Sequence, residues 1–148
     1  MSSADKWYFK NGELSRAEWN IHVDPQNPPV NGWRYTGLRV GTLASGKSLE
    51  LPADSNERII FLLQGEEILV AYSDGNEIKK QLLKGRISVF HGPSDFIFLP
   101  INTSATITGA GRVAVGEAQA SSAKPVRYVA KADVSVTLRG AGRENRQV

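Results

Sequence analysis

No stretch of this chain sustains a helical apolar stripe for more than about two turns. Short apolar runs follow one another instead, punctuated by fourteen glycines and seven prolines. Strands of four to eight residues separated by Gly/Pro turns are what that rhythm produces, so the chain reads as an all-β sandwich or barrel. Strands are expected at Arg16–Val23, Trp33–Leu43, Arg58–Leu63, Ile68–Tyr72, Glu77–Leu83, Ile87–Phe90, Phe96–Leu99, Ala105–Thr108, Val113–Ala118, Val126–Val129 and Val134–Leu138. Gly65 and Gly85 are expected to turn the chain. Ser73-Asp74-Gly75-Asn76 is a strong hairpin signal, because Asp-Gly accepts the positive φ of a tight turn. Ser15–Trp19 offers one helical turn at most, and Gln119–Lys124 reads as a surface loop.

Composition narrows the chemistry. With 148 residues the chain makes one domain with a full core. It has no cysteine, which removes disulfides, thiolate metal sites and cysteine nucleophiles, and only two histidines, His22 and His91. A three-histidine metal centre is therefore impossible within it. The net charge of +3 comes from 18 basic and 15 acidic residues, and the only adjacent basic pair is Lys79-Lys80, so no stripe tracks a nucleic-acid backbone. The longest apolar run, Ile59–Leu63, is too short for a membrane helix, and residues 1–6 lack the apolar core of a secretion signal. A cytoplasmic location is the expectation.

Single residues carry weak signals. His91 sits beside a Gly-Pro turn and reads as a partly solvated turn histidine sooner than a general base. His22 lies on the polar face of an alternating strand and reads as exposed. Glu66 and Glu67 are adjacent, and neighbours on a strand point to opposite faces, so they make no acid/base pair. The remaining candidate bases, Glu57 and Asp95, are dispersed along the chain. Trp7, Trp19 and Trp33 read as core or interface residues. Gly109-Ala110-Gly111 has no helix after it and makes no dinucleotide site.

One spacing goes further. Gly46, Pro52, Asp54, Arg58 and Gly65 stand in the order G-x5-X-x-X-x3-X-x6-G. Ser94, Pro100, Asn102, Ala105 and Gly109 stand in the order X-x5-P-x-X-x2-X-x3-X. This frame resembles the two motifs of cupin barrels, whose histidines and glutamate hold a divalent metal inside an antiparallel jelly-roll. Here Pro52, Asp54, Arg58 and Ala105 replace every ligand. Proline and alanine carry no donor, arginine is permanently cationic, and one aspartate cannot hold a transition metal. No metal is expected in this chain. Asp54 and Arg58, if they face inward, could bind a sugar carboxylate or each other; a surface pair at a strand end is the simpler reading.

Three further segments fall in order: Gly32-Trp33-Arg34-Tyr35-Thr36-Gly37-Leu38-Arg39-Val40, then Gly85-Arg86-Ile87-Ser88-Val89-Phe90-His91-Gly92-Pro93-Ser94-Asp95-Phe96, and the tail from Leu138 to Val148. From about Trp19 onward the chain resembles the first half of the bicupin sugar-acid isomerases, the family of 5-deoxy-glucuronate isomerase of myo-inositol catabolism. A more distant sister is 5-keto-4-deoxyuronate isomerase. The resemblance implies a single cupin barrel over residues 1–138, with 139–148 a polar linker to a second barrel that holds the divalent metal. It implies an aldose–ketose isomerase with a small sugar-acid substrate and possible homo-oligomers, in which this half is inactive alone. No family ligand maps onto this chain, so its catalytic residues stay unassigned. The alternative is a stand-alone metal-free cupin that binds a small acid or a protein.

Overall fold

The computed structural model describes residues 7–30, 32–140 and 146–147. Every strand pairing among the described residues is antiparallel, and the only helix among them is one 3-10 turn, Lys131–Asp133. The strands are β1 (Ile21–Val23), β2 (Thr36–Leu43), β3 (Ser48–Leu51), β4 (Asn56–Ser73), β5 (Ile78–Arg86), β6 (Phe96–Leu99), β7 (Ser104–Gly109), β8 (Gly111–Gln119), β9 (Arg127–Val129), β10 (Leu138–Arg139) and β11 (Arg146–Gln147).

The eighteen-residue β4 organises the fold. Its first half pairs with β6 and β8, and its second half with β5 and β7. The sequence suggested two strands with a turn at Gly65. Gly65 instead carries the strand through a bend, where the register with β8 shifts between Leu62 and Gln64. It does so at φ +139, and a Cβ there would lie 2.7 Å from the Ala110 carbonyl oxygen. Gly85 is likewise not a turn but a position inside β5, packed so closely that a Cβ would strike the Gly65 carbonyl. Glycine is required at the bend because two strand crossings meet there backbone to backbone.

The two halves of the sheet pack face to face. Ile60, Leu62, Ile97, Leu99, Val113 and Val115 of one half join Leu49, Leu51, Ile68, Val70, Leu83 and Ile107 of the other in one buried cluster. The β1-β2-β8-β4-β6-β9 order ends at β1 and β9, and these ladders do not close the sheet into a ring.

Several expected strands are shorter or absent. Arg16–Val23 is strand only at Ile21–Val23; Arg16 and Trp19 close a tight turn through mutual backbone hydrogen bonds, which also replaces the expected helical turn. Ile87–Phe90 is no strand. The Ser88 hydroxyl accepts the Phe90 amide and pairs with His91, and this local turn outcompetes a ladder. Of Val134–Leu138, only Leu138 is in a strand, β10, which pairs with β11. Arg139 and residues 146–147, expected in a linker, thus belong to a small ladder. Residues 141–145 and 148 lie outside the described residues. No helix among the described residues is long and apolar enough to cross a membrane.

Candidate functional site

The spaced positions of the sequence frame converge. Asp54 follows β3 in a short connector, where its Oδ1 accepts the Asn56 amide at 2.8 Å and holds the turn that starts β4. Asn102, in the left-handed region at φ 60, donates its amide to the Asp54 carbonyl at 2.7 Å. That bond draws the two halves of the frame together, and Ala105 pairs with Leu51 in the β3–β7 ladder. Arg58 points inward from β4 into this junction and is 1% exposed.

Four oxygens surround its guanidinium. Nε donates to Glu117 Oε1 at 2.7 Å, and Nη2 to Asp54 Oδ2 at 2.6 Å. Nη1 donates to the Pro52 carbonyl at 2.9 Å and the Thr103 carbonyl at 3.2 Å. The other oxygen of Glu117 accepts Arg39 Nε at 2.9 Å. Arg39 in turn lies over the Trp19 ring, 5.7 Å from its centroid. Two carboxylates thus balance two guanidiniums in a line from Trp19 to Asp54. Among these four charged groups only Asp54 retains appreciable solvent contact, at 26%.

The surface-pair reading of Arg58 is therefore overturned: it faces inward and binds Asp54. Sequence reasoning missed Glu117 and Arg39. The signal was present for Glu117, which shares the phase of Val113 and Val115 along β8, all three buried. A charge in the inward phase of a strand demands a partner. For Arg39 the alternation with Leu38 and Val40 was visible, but nothing local says that its face is the inner one.

These residues do not fit a metal. Pro52 and Ala105 bring no side-chain donor, and a cationic group stands in the middle. Among the described residues no three His, Asp or Glu side chains gather as a ligand set.

The other candidates are scattered. His91 is exposed, its Nδ1 2.7 Å from the Ser88 hydroxyl. Glu66 and Glu67 are both exposed at the β4 bend, and Glu57 is half-buried. Asp95 is buried and structural. It accepts the amides of Lys84 and Lys131 and the Tyr128 hydroxyl, each at 2.8 Å, which ties β9 and the turn after it to β5. Burial pushes its carboxyl upward, but these hydrogen bonds outweigh burial and hold it below the usual carboxylate range. His22 is not exposed as expected. It is half-buried beside Arg39, its Nε2 has no hydrogen-bond partner, and burial followed by the Arg39 charge lowers its pKa. Trp19 is core; Trp7 and Trp33 are exposed, with the Trp33 indole donating to the Thr36 carbonyl.

Two grooves open elsewhere. One of about 360 Å³ lies beside Thr103, between Tyr72, Asn102 and Lys124. Another of about 400 Å³ is lined by Val89, Phe90, Pro93, Val134 and Val136.

The chain has relatives among known proteins. A 5-deoxy-glucuronate isomerase of Geobacillus kaustophilus (strain HTA426) is 27% identical over 131 residues, which span 86% of this chain and 45% of that protein. The crystal structure of an IolB-like protein from Salmonella typhimurium LT2 superimposes with a TM-score of 0.74 at 32% identity, over 90% of this chain and 49% of that one. The chain spans about half the length of these relatives. The family model for KduI/IolB proteins matches residues 7–148. By that match, which covers nearly all of its length, the chain belongs to the KduI/IolB family.

Proposed function

We propose that this chain is an open jelly-roll of cupin type serving as the metal-free, supporting half of a sugar-acid isomerase. The whole enzyme would convert 5-deoxy-glucuronate to 5-dehydro-2-deoxy-gluconate. Family membership supports the reaction class, and the relative from Geobacillus kaustophilus supports the substrate. The observation that carries the supporting role is the guanidinium of Arg58. Arg58 stands at a ligand position of the cupin spacing, and its guanidinium is hydrogen-bonded to four oxygens of the chain itself.

The chemistry explains why that matters. Aldose–ketose isomerisation moves a proton between neighbouring carbons and builds negative charge on an oxygen. It needs a positioned base and a group that stabilises the oxyanion. Arg58 is the obvious oxyanion partner by charge, but it is buried and committed to Glu117 and Asp54. Glu57 stands at the start of β4 and Glu66 beyond its bend, while in the connector from β5 to β6 His91 is exposed and Asp95 is committed to three donors. A divalent metal and the proton-transfer groups are assigned to a second, histidine-bearing barrel, and this half supports it by packing.

The test incubates 5-deoxy-glucuronate and a divalent metal with the 148-residue chain, and separately with this chain joined to such a barrel, and follows the ketone product by NMR. Turnover is expected only from the joined protein. Robust turnover by the 148-residue chain that disappears in Arg58→Ala would move the active site into this half.

A further inference from the structure

The polar groups around Arg58 have the composition of a cation site. Every acceptor is an oxygen: two carbonyls, from Pro52 and Thr103, and two carboxylates, from Asp54 and Glu117. They come from three separate places in the chain: the connector before β4 (Pro52 and Asp54), the turn before β7 (Thr103) and β8 (Glu117). Converging carbonyls and carboxylates are how proteins hold hard cations. Here the acceptors stand 2.6–3.2 Å from the guanidinium nitrogens, the spacing of N–H donors and not of a contracted metal shell.

We infer that this cage is a cation-binding site whose resident cation is the Arg58 side chain, and that cutting the side chain back opens it to a free alkylguanidinium. The charge count supports a monovalent occupant. With Arg58 removed, Asp54 and Glu117 contribute two negative charges and Arg39 one positive charge, which leaves one negative charge unbalanced. The planar fork supports the class. Nε, Nη1 and Nη2 all donate, in three directions, which a spherical ion or a single ammonium reproduces poorly. The site is built to be filled by the fold itself: β4 cannot pair with β6 and β8 at Arg58 without delivering the cation. The inference rests on the cage alone and stands independently of the isomerase reading.

Thermal unfolding of the 148-residue chain tests it without any activity readout. Arg58→Ala is melted with and without millimolar N-ethylguanidinium, against ethylammonium, sodium chloride and magnesium chloride as controls. The melting temperature of Arg58→Ala is expected to rise saturably by several degrees with N-ethylguanidinium only, while the wild-type chain gains nothing. No gain in a folded Arg58→Ala, the same gain in the wild type, or a gain from a divalent cation instead would overturn the inference. If Arg58→Ala does not fold, Arg58→Lys is compared with Arg58→Met. The cage predicts that Lys, which keeps the charge but loses the planar fork, melts between wild type and Met, with Met falling by about 10 °C or more from wild type. A lysine variant no more stable than the methionine variant would reduce Arg58 to packing and overturn the inference.

Discussion

Glu117 receives Arg58 on one carboxylate oxygen at 2.7 Å, with both side chains essentially shut off from water. Its second oxygen holds Arg39. Losing either partner of such a pair leaves an uncompensated buried charge, which costs far more than the intact pair contributes. Glu117→Gln is therefore expected to destabilise the chain by about 3–5 kcal/mol. Urea unfolding measures it; a loss below about 1 kcal/mol would mean that the carboxylate is not the hub of the network.

Asp95 gives a second, independent prediction. Its carboxylate takes three donors, and an asparagine oxygen cannot satisfy all of them while its amide faces one. Asp95→Asn should cost about 1–3 kcal/mol and loosen β9 first. Because the folded-state pKa is lowered, the contribution is whole above the unfolded-chain value near pH ~4 and is lost as pH falls through the folded value. Acid unfolding followed by tryptophan fluorescence should show a wild-type transition that Asp95→Asn flattens in that range.

His22 reports on the other end of the charge line. Burial and Arg39 lower its pKa, with Arg16 adding to them, while Glu117 and Asp24 oppose them. The unfolded chain therefore binds the proton more readily, and stability falls as pH drops below about 6.5. His22→Gln removes that titration. Melting temperatures of the two proteins should diverge in pH dependence between about pH 6.5 and 5; parallel curves would contradict the lowered pKa.

Gly65 tests the bend in β4. Alanine there meets the Ala110 carbonyl and must adopt φ +139, so Gly65→Ala should cost about 1–3 kcal/mol or more. An unchanged urea midpoint would show that the bend tolerates a side chain.

The sequence pattern made most of the strands legible, and the reasons for its failures are physical. Phe96–Leu99 matches β6 residue for residue because a short apolar run between Pro93 and Pro100 leaves no other room. Periodicity at Val134–Leu138 misled, because alternation describes a face and says nothing of a partner strand. Gly65 misled because a glycine that bends a strand and one that ends it look the same. At the site, the spacing of Pro52, Asp54 and Arg58 located the junction. That Arg58 lies inside it depends on Glu117, 59 residues away, and such a pairing appears only once the strands are in register.

The central claim is that Arg58 holds the cation position and leaves no place for a metal. Elemental analysis tests it most directly. The chain is saturated with manganese, iron or zinc, dialysed extensively, and assayed for metal per chain. The expected content is far below one equivalent for each metal, with no change in Asp54→Ala. One tightly held equivalent that Asp54→Ala or Glu117→Gln removes would contradict the account.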